Sequence, residues 1–152
     1  MPFQIETQLK ERPKGRTPIW VVRLRDGDAI AFTSETRSLH LRDEAAARLL
    51  GRALAICLAS GVSTRSDVDW QGDLSDDCTA RIGRFQAHAE HLQGPRRGGV
   101  WYCQVFDVLH SEEAGIVPRS GRAARWLCEV IAVAAELGFA ALPDEPRRTQ
   151  SN

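Results

Sequence analysis

The spacing of apolar residues changes at Asp43, and this change limits the possible folds more than any other feature of the sequence. Before Asp43, apolar and polar residues alternate over residues 3–9, with the period of two expected of a half-buried strand, and residues 18–25 supply the β-branched bulk of a second strand. After it, apolar residues recur every three or four positions over residues 44–60, as on the buried face of a helix. A chain that starts with strands and continues with helices favours the α+β fold class.

The predicted strands form an antiparallel sheet. Asp26-Gly27 separates residues 18–25 from residues 29–33, and such a pair accepts the positive φ angles of a tight hairpin. Residues 36–42 add a further strand. Residues 98–109 are rich in strand formers and predict a long central strand that is covered on both faces. We therefore expect a sheet of four to five strands.

Three helices are expected to pack mainly on one face of this sheet. Asp43 and Gly61 suit the two ends of the first helix, and Ser120 and Gly138 suit the ends of the last. A middle helix is predicted to begin at Ser75, because apolar residues there step by four, three, four and three. These residues are Cys78, Ile82, Phe85, Ala89 and Leu92.

The length of 152 residues fits one domain, and no internal repeat is apparent. We expect residues 1–142 to form this domain and the polar residues 143–152, with their two prolines, to form a disordered tail. Residues 1–6 lack the order of a secretory signal, and no apolar run reaches the roughly 18 residues of a membrane span. A cytoplasmic location is therefore expected. The strand at residues 3–9, if it lies at a sheet edge, could pair across a two-fold axis in a homodimer.

Charge and cysteine content set aside several classes of partner. Twenty basic and twenty acidic residues cancel, which removes the simplest argument for binding to nucleic acid or to a membrane surface. The four cysteines, Cys57, Cys78, Cys103 and Cys128, form no C-x-x-C pair. We therefore predict reduced, buried thiols, no metal site and no cofactor.

The neutral total conceals an acidic middle, because residues 43–78 carry seven acidic and only three basic side chains. Residues 67–75 resemble the first nine positions of an EF-hand calcium loop, but the twelfth position is Cys78 where a glutamate should close the coordination shell. We expect instead a short strand, a loop and an acidic helix start, or a surface that docks on a basic partner. The predicted docking residues are Asp67, Asp69, Trp70, Asp73, Asp76 and Asp77.

Two further groups of polar residues are candidate sites. Arg81, Arg84, His88 and His91 would line one polar face of the predicted middle helix. Around the start of the last helix, Arg119 and Arg122 are predicted to bind a carboxylate or phosphate. The same region yields a candidate triad, although it lacks the G-x-S-x-G turn that would expose a nucleophile. Its members are Ser120 as nucleophile, His110 as base and Glu113 as orienting carboxylate.

Two functions from different classes follow. The favoured one is a non-enzymatic cytoplasmic module that binds a protein through the acidic segment, as an inhibitor, an immunity-type protein or an adaptor would. The alternative is a small hydrolase or transferase acting on a phosphate- or carboxylate-bearing substrate at residues 110–122. This second function requires the polar side chains of that segment to converge in one cleft.

Overall fold

The computed structural model describes residues 3–62, 68–92 and 99–141. Within them lie ten strands: β1 (Gln4–Lys10), β2 (Ile19–Asp26), β3 (Ala29–Thr33), β4 (Leu39–Leu41), β5 (Gln71–Asp73), β6 (Asp77–Ile82), β7 (Phe85–His91), β8 (Trp101–Val105), β9 (Leu109–His110) and β10 (Ile116–Pro118). The helices are α1 (Glu44–Ala59), the four-residue α2 (Ser111–Ala114) and α3 (Gly121–Glu136), and a 3-10 turn (Ser34–Thr36) precedes β4. The predicted α+β class is confirmed.

The strands form two five-stranded antiparallel sheets where one sheet of four to five strands was expected. The first sheet has the order β1-β2-β4-β10, with β3 also paired to β2. The second sheet has the order β5-β6-β7-β8-β9. Helix α1 packs on β1 and β2, α3 packs on β7 and β8, and the two helices contact each other. One hydrophobic cluster contains residues of both sheets and both long helices.

The ends of the two long helices follow the predicted caps. The Asp43 carboxylate accepts the Ala46 N–H at 2.8 Å at the start of α1. The Ser120 hydroxyl accepts the Ala123 N–H at 3.0 Å at the start of α3. Each side chain satisfies one of the amide donors that a helix leaves free in its first turn.

The predicted middle helix is wrong, because its residues form the β6–β7 hairpin. Spacings of four and three also fit two short alternating strands joined by a turn. Cys78, Ala80 and Ile82 point into the core and alternate with exposed residues. Gly83 then adopts a φ of 61° in the turn, a conformation that interrupts a helix.

The strand predicted for residues 98–109 is divided in two and covered on one face only. Trp101, Cys103 and Val105 of β8 are buried, and the residues between them are half-buried. Asp107 has a φ of 70° in the turn between β8 and β9. The strand formers in residues 98–109 therefore include a tight turn that the composition did not predict.

The chain contains an internal repeat that was not apparent in the sequence. Residues 33–61 correspond to residues 110–138 at a constant offset of 77, so that the last turn of each long helix is followed by a glycine. Nine aligned positions are identical: Ser34, Glu35, Arg42, Ala46, Ala47, Arg48, Leu50, Ala55 and Gly61 in the first copy. We call residues 4–61 the N-terminal repeat and residues 85–138 the C-terminal repeat.

The order of elements and the buried polar contacts also repeat. Strands β1, β2, β3 and β4 with α1 correspond to β7, β8, β9 and β10 with α3, and the 3-10 turn corresponds to α2. The buried Ser34 hydroxyl accepts the Val22 N–H at 3.0 Å. Its counterpart Ser111, also buried, accepts the Cys103 N–H at 2.9 Å.

Strands β4 and β10 pair across a pseudo-two-fold axis. The equivalent residues His40 and Val117 face each other at the centre of the pair. On either side, the Arg42 N–H donates to the Gly115 carbonyl at 2.9 Å and the Arg119 N–H donates to the Ser38 carbonyl at 2.8 Å. These two bonds are equivalent, which is the pattern of an isologous interface between two copies.

Pro118 lies where the two sheets are not joined by a strand ladder. In the first sheet, Trp20 pairs with Leu41 and joins β2 to β4. The equivalent residues are Trp101 and Pro118, and proline has no amide N–H to donate to a ladder. Strands β8 and β10 contact each other but share no ladder among the described residues.

Candidate functional site

Of the predicted docking residues, Asp67 lies outside the described residues, and the others lie in or next to the hairpin of β5 and β6. Asp69, Asp73 and Asp77 are exposed, and Asp76 is half-buried. In the turn, the Asp73 carboxylate accepts the Ser75 N–H at 2.9 Å and the Ser75 hydroxyl at 2.7 Å. These bonds lower the pKa of Asp73, so the turn keeps its negative charge over a wider pH range.

Trp70 anchors this hairpin to α3. Its ring is half-buried and packs on the core cluster. Its indole N–H donates to the Glu129 carboxylate at 3.0 Å, and Glu129 is only 5% exposed. Trp70 therefore holds the acidic segment in place, and the buried Glu129 carboxylate obtains a donor.

The predicted row of positive charge on the middle helix is divided in the structure. His88 lies on the outer face of the second sheet, where its Nε2 is 2.6 Å from the Asp77 carboxylate. His91 is on the opposite face, with its ring 5.2 Å from that of Trp101. Arg84 lies in the β6–β7 turn, next to Glu136 at 3.8 Å. These residues therefore form no continuous cationic stripe.

The structure brings together only part of the candidate triad. His110 and Glu113 both line a cavity beside α1. Ser120 does not line this cavity, and its hydroxyl accepts the N–H that begins α3. His110 likewise acts as a cap, because its Nδ1 accepts the Glu112 N–H at 3.3 Å. Neither Arg119 nor Arg122 lines the cavity.

Arg119 instead belongs to a basic cluster on the outer side of β4. His40 in this strand is half-buried. Burial lowers the pKa of His40, and the positive charges of Arg12, Arg119 and Arg42 lower it further. These residues could attract an anion, whereas Arg122 is exposed and does not contribute to this effect.

The cavity that contains His110 and Glu113 has a volume of about 630 Å³. The first half of α1, the β8–β9 turn and α2 form its walls. Arg48, Arg52 and Asp107 also lie on it, and the sequence had singled out none of them. Two arginines four residues apart on an amphipathic helix look like part of a solvated face, so only the tertiary structure reveals their position. The apolar lining residues are Ala45, Leu49, Val105, Val108, Leu109, Ala114 and Ala141.

All four cysteines are buried free thiols. Burial raises the pKa of Cys57 to about 11 and raises the pKa of Cys103 well above its usual value. The Cys103 sulfur lies 2.9 Å from that of Cys128. Because the thiolate is the reactive form, these raised values argue against a cysteine nucleophile in the described part of the chain.

Comparison of the chain with protein-family models, curated proteins and solved structures finds no match. Among residues 3–62, 68–92 and 99–141, no three His, Cys, Asp or Glu side chains are grouped so as to hold a metal ion. Within the same ranges, no helix has both the length and the apolar character needed to cross a membrane. Function is therefore argued from the geometry alone.

Proposed function

We propose that the protein binds a partner protein with a basic surface through the hairpin of residues 69–77, which we call the acidic hairpin. The exposed carboxylates of Asp69, Asp73 and Asp77 carry this proposal. Leu74 lies between them at the turn and is 48% exposed. Negative charge around an exposed apolar side chain is a common composition for a docking surface.

The acidic hairpin is held rigidly, which favours binding. The Trp70 indole is hydrogen-bonded to Glu129 at its start. At its turn, the Arg125 guanidinium donates to the Leu74 carbonyl at 2.9 Å. Both Glu129 and Arg125 belong to α3, so the turn is fixed before a partner arrives and less entropy is lost on association.

The backbone of the acidic hairpin adds a second means of recognition. Strand β5 lies at the end of the second sheet, and all three of its residues are exposed. An edge strand of this kind can accept a strand from another protein. Such a surface suits an inhibitor, an immunity-type protein or an adaptor in the cytoplasm.

The enzymatic alternative is less favoured by the geometry. A hydrolase or transferase at residues 110–122 would use the cavity with His110 and Glu113. Its proposed nucleophile Ser120 and its proposed anion ligands Arg119 and Arg122 lie outside that cavity. We therefore retain protein binding as the main proposal.

The test is affinity capture from cell extract followed by binding measurements on the captured partner. The variant Asp69→Asn/Asp73→Asn/Asp77→Asn should weaken binding by about tenfold or more, since each lost surface charge contributes a fraction of a kcal/mol. Wild-type binding should also weaken as salt is added. Asp26→Asn/Asp28→Asn removes exposed carboxylates from the β2–β3 hairpin and is the matched control. Equal capture by all three proteins rejects the proposal.

A further inference from the structure

The pseudo-two-fold axis relates the cavity beside α1 to a place in the molecule that is filled by side chains. There the rings of Phe32 and Trp126 stack with centroids 5.9 Å apart and planes 11° apart. The Arg37 guanidinium lies over the Trp126 ring, 4.7 Å from its centroid. The gap between α3 and the β2–β3 hairpin is thus closed by two aromatic rings and a long side chain.

On the other side of the axis, smaller residues occupy all three equivalent positions. Leu109 stands in place of Phe32, Leu49 in place of Trp126 and Ala114 in place of Arg37. All three line the cavity of about 630 Å³. This volume is in the range of small-molecule sites. The same backbone arrangement that holds two flat rings on one side of the axis is therefore open to an external flat ring on the other side.

Arg52 lines this cavity and contains an unsatisfied polar atom. Its Nε is buried and has no hydrogen-bond partner among the described residues. Its guanidinium carbon lies 5.6 Å from the Phe139 ring centroid, which fixes one face of the group. The equivalent residue Glu129 is satisfied by Trp70. A carboxylate is the acceptor that best matches a guanidinium, because it can take two parallel hydrogen bonds.

The remaining charges limit how much negative charge a ligand can carry. Asp43, Asp107 and Glu113 are exposed at the rim and would repel a polyanion. Arg48 is also at the rim, where it is paired with Glu44 at 2.9 Å. A single carboxylate directed toward Arg52 avoids this repulsion.

We infer that this cavity binds a small aromatic carboxylic acid, with the flat ring between Leu49 and Leu109 and the carboxylate on the Arg52 guanidinium. The ring takes the place that Phe32 and Trp126 fill on the other side of the axis. The site is separate from the acidic hairpin, so either proposal can fail without the other.

The experiment titrates indole-3-acetate into the full-length protein and follows heat and amide chemical shifts. We expect saturable binding, with the largest shifts at residues 104–110. Arg52→Gln should weaken binding by about tenfold or more, because a charge-assisted hydrogen bond is lost. Arg16→Gln removes an exposed arginine outside the cavity and should leave binding unchanged. Indole-3-ethanol, which lacks the carboxylate, should bind more weakly than indole-3-acetate.

Two variants test the location by filling the cavity with the residues found on the other side of the axis. Leu49→Trp and Ala114→Arg should each abolish binding while far-UV circular dichroism stays that of the wild type. Two variants are used so that the test still holds if one of them does not fold. Absence of saturable binding to the folded wild type at millimolar indole-3-acetate overturns the inference, as does equal binding by Arg52→Gln. Tighter binding of phenyl phosphate than of benzoate overturns the choice of carboxylate.

Discussion

The two repeats achieve one backbone arrangement with different packing where the helix crosses its sheet. In the N-terminal repeat, Gly51 of α1 faces Ile5 and Val22. The equivalent positions of the C-terminal repeat hold Cys128, Ala87 and Cys103. The N-terminal repeat therefore has two large sheet residues facing a glycine on the helix. The C-terminal repeat has two smaller sheet residues facing a cysteine on the helix. The larger helix residue partly offsets the smaller sheet residues, although this crossing has five side-chain heavy atoms against seven in the N-terminal repeat.

The repeats differ more at their edges and surfaces than in their cores. Strand β7 is covered by β6, whereas the equivalent outer edge of β1 has no strand partner among the described residues. The acidic hairpin is an addition to the C-terminal repeat, and the cavity is a loss of bulk on one side of the axis. Buried hydrogen bonds and helix caps therefore maintain the shared fold, while the features proposed to bind partners arise where the copies diverge.

The largest expected effect comes from giving the N-terminal repeat the helix residue of its counterpart. A Cβ at Gly51 would lie 2.8 Å from Ile5 Cγ2 and 3.0 Å from Val22 Cγ2, so Gly51→Cys should lower the free energy of unfolding by about 2 kcal/mol. Ile5→Ala/Val22→Cys/Gly51→Cys copies the other crossing and should recover most of this loss. Urea unfolding measures both. A Gly51→Cys protein as stable as the wild type would show that the close approach of Ile5 and Val22 to position 51 does not restrict its side chain.

The buried serines should give equal effects in the two repeats. Ser34→Ala and Ser111→Ala each leave one buried amide without an acceptor, that of Val22 or of Cys103. Each change should cost about 2 kcal/mol of unfolding free energy. Thermal or urea unfolding of the two variants provides the comparison. If one change is neutral and the other costly, the two sites are not equivalent.

The smallest expected effect on the unfolding free energy comes from replacing either of two aligned glutamates, Glu35 and Glu112. Glu35 accepts hydrogen bonds from Lys10 and from Arg23, at 2.8 Å for the latter, which lowers its pKa from 4.5 to about 2. Its counterpart Glu112 forms no ion pair within the described residues, because Gln104 stands in place of Arg23. Glu35→Gln should therefore lower the unfolding free energy at pH 7 by about 1 kcal/mol, and Glu112→Gln by less.

Glu35 and Glu112 should also differ in how they affect the unfolding free energy at acidic pH. The pKa of Glu35 is lower in the folded state, so its contribution is complete above pH 4.5 and is lost as the pH falls toward about 2. The wild type and Glu112→Gln should lose this contribution across that interval, and Glu35→Gln should have a flatter profile. Urea midpoints between pH 2 and 7 measure the slopes. Identical slopes for the two variants would contradict the assignment.

Local signals predicted much of the fold. The hairpin at Asp26-Gly27 is confirmed, with Gly27 at a φ of 65°, because a two-residue turn depends only on its own residues. Helices α1 and α3 are confirmed near their capping residues Asp43 and Ser120 for the same reason. The β6–β7 hairpin was missed because alanines suit either structure and the helical spacing coincided with two alternating strands.

Features that depend on distant residues were not predictable. The repeat was hidden because identities are scattered and the offset between the copies is 77 at Ser34 and Ser111 but 81 at Trp20 and Trp101. The change arises because the β8–β9 hairpin of the C-terminal copy is four residues shorter than the β2–β3 hairpin. The cavity residue Arg52 carried no local signal, because its position depends on a turn more than fifty residues away. The acidic residues were noticed, but their hairpin and its anchor on α3 were not.

The reciprocal bonds between β4 and β10 have a consequence for how the two copies can vary. A protein with a single copy of the repeat would leave the Arg42 N–H and the Ser38 carbonyl unpaired at its edge, and a second identical copy turned by half a rotation would pair both. In a dimer of identical subunits every substitution would appear twice. Here the two copies lie in one chain and can differ, so that one side of the axis has the Phe32–Trp126 stack while the other has a cavity.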